Sequence, residues 1–311
     1  MQTSGNGSPT LPTNVILLSI LNDDGSETLG VKTADGILDV RQAARLLEQT
    51  VPSTLDRLLQ DGGADALATL IADASASPKT KSAFHSEGSI RFGRLFTNPG
   101  KVICVGLNYR HHAQEVGAPI PKQPVLFSKF NNALAAHRCV ITLPSAEISH
   151  KFDYETELLM VIGKAARNVS ETDAPNYIAG YCTAHDFSAR DLQTETGGQW
   201  LIGKTLDNFA PIGPYFVSAD LVGDPHKLAI KTTVNGEVRQ SWNTDDFIFN
   251  CYQIVAYISK HWTLEPGDII FTGTPQGVIA GKPADQQVWL KAGDVIESSV
   301  EKLGTLSFSL A

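Results

Sequence analysis

The 311-residue sequence predicts a mainly β protein with α+β elements, in which a small N-terminal α/β domain precedes a C-terminal β-sandwich or rolled β domain. Three observations carry this. Beyond Pro99 the chain is a succession of short β-rich runs; one long helical pattern interrupts them; and Asp-Gly and Asn-Gly pairs stand where tight turns join alternating strands. A doubly wound parallel sheet needs strands alternating with helices throughout, and that pattern is missing.

The elements follow in order. The opening MQTSGNGSPTLPTN has neither a basic nor an apolar stretch, so residues 1–14 are expected to be a disordered tail and not a signal peptide. Val15–Leu21 and Thr28–Val40 alternate as hairpin strands around Asp24-Gly25 and Asp35-Gly36. Arg41–Gln49, Thr54–Gln60 and Ala64–Ile71 carry Leu and Ala at helical spacing, broken by Gly62-Gly63. The small, polar, proline-containing stretch Ala74–Lys81 reads as a connection, placing a linker near 73–98 between a domain over 15–95 and a second over 99–311. Strands then follow at Val102–Val105, Val125–Phe127, Leu158–Ile162, Tyr215–Val217, Leu228–Val234, Ile269–Thr272 and Val295–Val300. The clearest hairpin is KTTVNGEVRQSW, where Asn235-Gly236 suits a type I′ turn. One helix is expected over Asp246–Trp262, capped by Thr244 or Asp245, with Phe247, Cys251, Ile254, Val255 and Ile258 on one face.

Composition narrows the function classes. A chain of this length buries about 75% of its extended surface, so it needs no disulfide or zinc staple. Lys+Arg 25 against Asp+Glu 33 gives net −8, the wrong sign for a nucleic-acid or anionic-membrane partner. Cys104, Cys139, Cys182 and Cys251 lie far apart with no C-x-x-C, and read as reduced thiols in a cytoplasmic setting. There is no 18-residue apolar run to span a bilayer.

Three polar constellations remain. In DYETELLMVIG, Glu155 and Glu157 stand two apart before an apolar strand and share one face. Adjacent carboxylates repel unless a cation lies between them; the alternative is a solvent-facing pair on an edge strand. Asp186 in YCTAHDFSARDLQ offers a third carboxylate, giving an oxygen-only set suited to Mg²⁺, Mn²⁺ or Ca²⁺ and poorly to zinc. In GLNYRHHAQE, His112 and Glu115 are three apart, so on a helical turn the carboxylate would orient the imidazole; a solvated His-Glu pair is the alternative. The third set is basic: Arg190 with Gln193, Lys204 and Lys129, which would clamp an anionic substrate beside the cation or else pair with Asp191 or Asp207. Gly273 and Thr274, in a Gly-Thr-Pro turn after a strand, offer backbone and hydroxyl donors to a ligand, or form a plain loop.

Together and in this order the residues resemble the fumarylacetoacetate hydrolase family, especially its domain-containing members, from Lys101 to the C-terminus. The motifs are G-x-N-Y-x-x-H-x-x-E at Gly106–Glu115, E-x-E at Glu155 and Glu157, H-D-x-S-A-R-D-x-Q at His185–Gln193, G-K at Gly203-Lys204, and G-D-x-x-x-T-G-T-P-x-G-V at Gly267–Val278. The resemblance implies a C-terminal mixed β-sandwich roll, a smaller N-terminal domain and a homodimer. It implies Mg²⁺ or Mn²⁺ on Glu155, Glu157 and Asp186, with His112 and Glu115 on a lid over the substrate. Pro99–His111 contains no acid, so this is the three-carboxylate version of the site.

The implied substrate is a small dicarbonyl carboxylate, a 2-oxo acid held by metal and Lys204. Hydrolytic C–C cleavage of an acylpyruvate is placed first. Oxaloacetate tautomerisation or decarboxylation on the same site is the near rival, and a catalytically silent metal-binding dimer is the third reading. The substrate tail would be read by loops around Trp200 and Ile279–Gln287.

Overall fold

The computed structural model describes residues 11–311. The architecture is the mainly β, α+β fold read from the sequence, built on two larger sheets and a two-stranded one. The first ten residues of the expected tail lie outside the described residues. Its last four are docked: Leu11 is buried, and Asn14 N–H donates to Asp220 at 2.8 Å.

The larger sheet runs across the molecule in the order Phe84–His85, Gly36–Asp39, Glu27–Thr33, Ile16–Leu21, Ala210–Ser218, Ile178–His185, Thr156–Ile162, Ile269–Phe271, Val102–Gly106 and Val125–Ser128, with Leu134–Ala135 joining off this path. Pairing is antiparallel except where Ile269–Phe271 meets Val102–Gly106 and where Ala210–Ser218 meets Leu134–Ala135. The N-terminal hairpins therefore extend the same sheet as Thr156–Ile162 and Ile178–His185, through Ile16 opposite Val217. Residues 73–98, read above as a connection, are ordered. Helix Ala64–Ala76 runs into them with Ala74 in the core, and Phe84–His85 pairs with Gly36–Asp39. The local reason is visible in the sequence: alanine favours continuing the helix, and Ser77-Pro78 supplies a cap and first residue for the 3-10 turn Pro78–Ala83.

The second sheet has the order Glu237–Asn243, Ala229–Val234, Val295–Val300, Thr305–Leu310 and Val140–Ile141. Its first hairpin turns at Asn235 (φ 53°) and Gly236 (φ 82°), between Val234 and Glu237, as the type I′ reading requires. The expected helix over Asp246–Trp262 is shorter. It spans Cys251–His261 and starts at Asn250, whose side chain accepts from Tyr252 and Gln253 N–H while Gln253 returns a bond to Asn250 N–H. This reciprocal box outcompetes Thr244 and Asp245, which lie at a separate 3-10 turn, Thr244–Asp246. The stretch between is held by Asn108, whose carbonyl accepts from Ile248 and whose side chain accepts from Phe249.

Strand Thr156–Ile162 is central and buried at every residue. Leu159 and Val161 join one apolar core, while Leu158, Met160 and Ile162 join another with Ile254, Val255 and Ile258 of the helix. The site sits where this doubly buried strand begins.

Candidate metal centre and active site

Strand register assembles the carboxylates. Thr156 lies opposite His185 and Glu157 opposite Ala184, so Asp186 returns beside Glu155 and donates its N–H to the Glu155 carbonyl at 2.9 Å. Alternation places Glu155 and Glu157 on one side. Thr156 faces the other way, where its hydroxyl meets those of Thr232 (2.5 Å) and Ser298 (2.7 Å) in the second sheet. Carboxylate oxygens of Glu155, Glu157 and Asp186 fall within 4.8 Å of one another, and all three residues are buried. The edge-strand alternative is thereby excluded for this pair.

The cations around the cluster are shared unevenly. Lys204 Nζ contacts Glu155 at 2.7 Å and Asp186 at 2.8 Å; an Arg190 guanidinium nitrogen reaches Glu155 at 2.6 Å; Lys129 Nζ reaches Asp186 at 2.6 Å. Glu157 receives one backbone N–H, from Gly273 at 2.7 Å, and no basic side chain among the described residues. Burial alone would raise the Glu155 carboxyl, but Arg190 and then Lys204 outweigh it and hold it well below the usual range. Burial, followed by repulsion from Asp186 and Glu155, pushes Glu157 well above that range. A buried carboxylate without a cation, facing two others, is what a divalent ion would satisfy, and an all-oxygen set suits Mg²⁺, Mn²⁺ or Ca²⁺. The residues fit the metal that the motifs imply.

The cluster opens on a cavity of about 370 Å³, also lined by His112, Arg190, Gln193, Lys204, Gly273 and Thr274. His112 and Glu115 lie on the short helix Arg110–Glu115, with Nδ1 and Oε2 3.2 Å apart. The other Glu115 oxygen accepts from Gly277 N–H at 2.8 Å. Gly281 completes this seat, because a Cβ there would lie 2.4 Å from the Glu115 carboxyl carbon. The N-terminal end of the helix is pinned by Arg110 to the Asp246 and Phe247 carbonyls, and by His111 to the Asp246 carboxylate at 3.0 Å.

Several side chains have different work from that read in the sequence. Lys129 does not line the cavity. It is buried behind Asp186, where its ammonium also donates to the carbonyls of Phe187, Lys204 and Phe209, so its contacts are with the cluster and the backbone around it. The Gly273 N–H is committed to Glu157. Thr274 lines the cavity, but its hydroxyl donates to the Thr156 carbonyl at 2.9 Å and accepts from Gln240 at 2.9 Å. Gln193 accepts from Arg190 at 2.9 Å through its carbonyl oxygen, leaving its amide N–H₂ for a ligand. Arg190 and Lys204 pair with the cluster, not with Asp191 or Asp207.

Two positioning residues had no role assigned from the sequence. Asp153, fully buried, accepts from Ile279 and Ala280 N–H and from Arg190 Nε, tying the segment that seats Glu115 to the guanidinium that meets Glu155. Its signal was the period of two in Asp153, Glu155 and Glu157. His185 accepts from Glu155 N–H at 3.0 Å through Nε2 and contacts Ser298 at 3.0 Å through Nδ1. Burial lowers its pKa to about 3, so it is a neutral structural acceptor.

The family model described as fumarylacetoacetate (FAA) hydrolase C-terminal matches residues 101–311. The chain belongs to the fumarylacetoacetate hydrolase family. Within that family, the fumarylacetoacetate hydrolase domain-containing protein 2 homolog of Dictyostelium discoideum is 51% identical over 218 residues, covering 67% of this chain and 70% of the relative. The mitochondrial oxaloacetate tautomerase fahd2 of Xenopus laevis is 39% identical over 290 residues, covering 92% and 86%. Among solved structures, the fumarylacetoacetate hydrolase of Exiguobacterium antarcticum superimposes with a TM-score of 0.78 at 30% identity, covering 96% and 99%. This chain is an enzyme of the fumarylacetoacetate hydrolase family. No helix among its described residues is long and apolar enough to cross a membrane.

Proposed function

We propose that the chain is a divalent-metal-dependent keto–enol tautomerase of oxaloacetate. The observation that carries this is a His112–Glu115 proton-transfer pair opening on the three-carboxylate cluster in one cavity. Similarity to an oxaloacetate tautomerase over 92% of the chain supports the choice of reaction. Glu155, Glu157 and Asp186 would hold the metal. A bound divalent cation supplies Lewis-acid stabilisation of negative charge on the 2-oxygen of a 2-oxo acid.

The chain's own residues do the rest. Lys204 and Arg190 form the cationic wall against which the substrate carboxylate lies, and the free amide of Gln193 donates toward it. With the Glu115 carboxylate accepting from His112 Nδ1–H, Nε2 would be the nitrogen left free to act on the substrate. Nε2 takes the enol hydroxyl proton and the imidazolium returns a proton to C3. One O–H bond is lost and one C–H bond formed, with no water consumed and no carbon bond broken.

C–C hydrolysis, placed first from the sequence, is the second reading; the 30% identity to a fumarylacetoacetate hydrolase favours it. It requires water at the position His112 would otherwise use for the enol. An ultraviolet enol assay decides between them. The expected result is rapid loss of oxaloacetate enol absorbance with Mg²⁺, abolished by EDTA, and slower or no loss with acetylpyruvate and fumarylpyruvate. Faster turnover of the acylpyruvates would reverse the order, and no turnover of any would favour the silent dimer.

The same reading includes a homodimer and a reducing compartment, consistent with four free cysteines. The cytoplasm and the mitochondrion named for the Xenopus relative both fit, so the proposal is the reducing environment and not cytoplasm specifically.

A further inference from the structure

The cations deep in the cavity are already paired. Arg190 serves Asp153, Glu155 and Gln193, and Lys204 serves Glu155 and Asp186. One other lysine lines the cavity. Lys151 sits at the rim, its side chain 31% exposed, and its ammonium lies 2.6 Å from Glu195, whose side chain is 56% exposed and also lines the cavity. No other side-chain partner of Lys151 or Glu195 occurs among the described residues. An ion pair this exposed adds little stability and exchanges partners readily.

A 2-oxo acid bound by its carboxylate and keto oxygen at the buried cluster would have its far end in the same cavity that Lys151 and Glu195 line. We infer that Lys151 selects substrates with a second, distal carboxylate, and that Glu195 holds its place until that carboxylate displaces it. The inference rests on the 2-oxo acid reading given above and names the substrate class: 2-oxo dicarboxylates over 2-oxo monocarboxylates. The rim gives the same direction, because without Lys151 a distal carboxylate would face Glu195 with no cation between them. The Lys151 backbone carbonyl accepts from Arg190 N–H at 2.8 Å, a bond that survives a change of side chain.

The two partners have opposite effects, which a merely structural ion pair would not produce. Dissociation constants for oxaloacetate and for oxalate, measured by calorimetry with Mg²⁺ on wild type, Lys151→Met and Glu195→Gln, test this. Oxalate fills only the metal end. Lys151→Met is expected to weaken oxaloacetate about tenfold while moving oxalate less than about twofold, and Glu195→Gln to tighten oxaloacetate about threefold, by removing the competitor. Equal weakening of both ligands by Lys151→Met, or any weakening of oxaloacetate by Glu195→Gln, overturns the inference. Failure of the tautomerase reading shows separately, as absence of enol loss by a wild-type protein that still binds oxaloacetate.

Discussion

Replacing His112 by alanine is expected to lower turnover by about 10²- to 10⁴-fold, the usual worth of a positioned general acid-base group, while divalent-cation affinity stays at the wild-type level. The separation follows from geometry. His112 lines the cavity, but its polar partner is Glu115, and Glu115 is fastened to Gly277 and not to any of the three clustered carboxylates. Removing the imidazole therefore leaves Glu155, Glu157 and Asp186 with all their bonds. Initial rates of enol loss, beside Mg²⁺ titrations of the same preparation, measure both halves. A wild-type rate would remove His112 from the mechanism, and a parallel loss of metal would make it a support of the cluster.

Glu157→Gln is expected to abolish turnover and weaken Mg²⁺ by at least about 100-fold, since even outer-shell partners cost 10- to 100-fold in metal affinity. The same variant should melt no lower than wild type without metal, and should lose the stabilisation that added Mg²⁺ gives wild type. The sign comes from the unpaired state of this carboxyl. Burial, then Asp186 and Glu155, push it up, so the metal-free protein keeps a proton there to higher pH. A carboxyl raised on folding contributes stability below its unfolded pKa and loses it as pH rises through the folded value. Metal-free wild type should thus weaken as pH rises through that window, and Mg²⁺ uptake within it should release a proton that Glu157→Gln does not. Calorimetry in buffers of different ionisation enthalpy counts that proton.

Local rules carried the site further than the fold's outline. Glu155, Glu157 and Asp186 were legible because a period of two fixes their face, and because acids before a buried strand demand a counter-charge. The Asn235-Gly236 turn was legible because only a tight pair with positive φ closes those strands. What spacing could not supply was partnership across distance. Lys129 was read as a substrate clamp because nothing local reveals that Asp186 and three carbonyls from other segments surround its ammonium. Asp153 shares the carboxylates' period, but its partners Ile279 and Ala280 lie more than a hundred residues away, so nothing local shows what it holds. The helix expected from Asp246 begins at Cys251, since the competing capping box at Asn250 is stronger than the apolar periodicity that ran through it. Residues 73–98 looked like a connection by composition, yet Ala74 and the strand Phe84–His85 are packed on a sheet whose partners come from elsewhere in the chain.

On the proposed reading, His112 and the carboxylate cluster move a proton and break no carbon bond. Proton NMR of oxaloacetate in D₂O with enzyme and Mg²⁺ tests it most directly. The enol signal should collapse to the keto form faster than without enzyme, with deuterium appearing at C3 and the carbon skeleton intact. Accumulation of pyruvate, or of acetate with oxalate, at the rate of enol loss would contradict it.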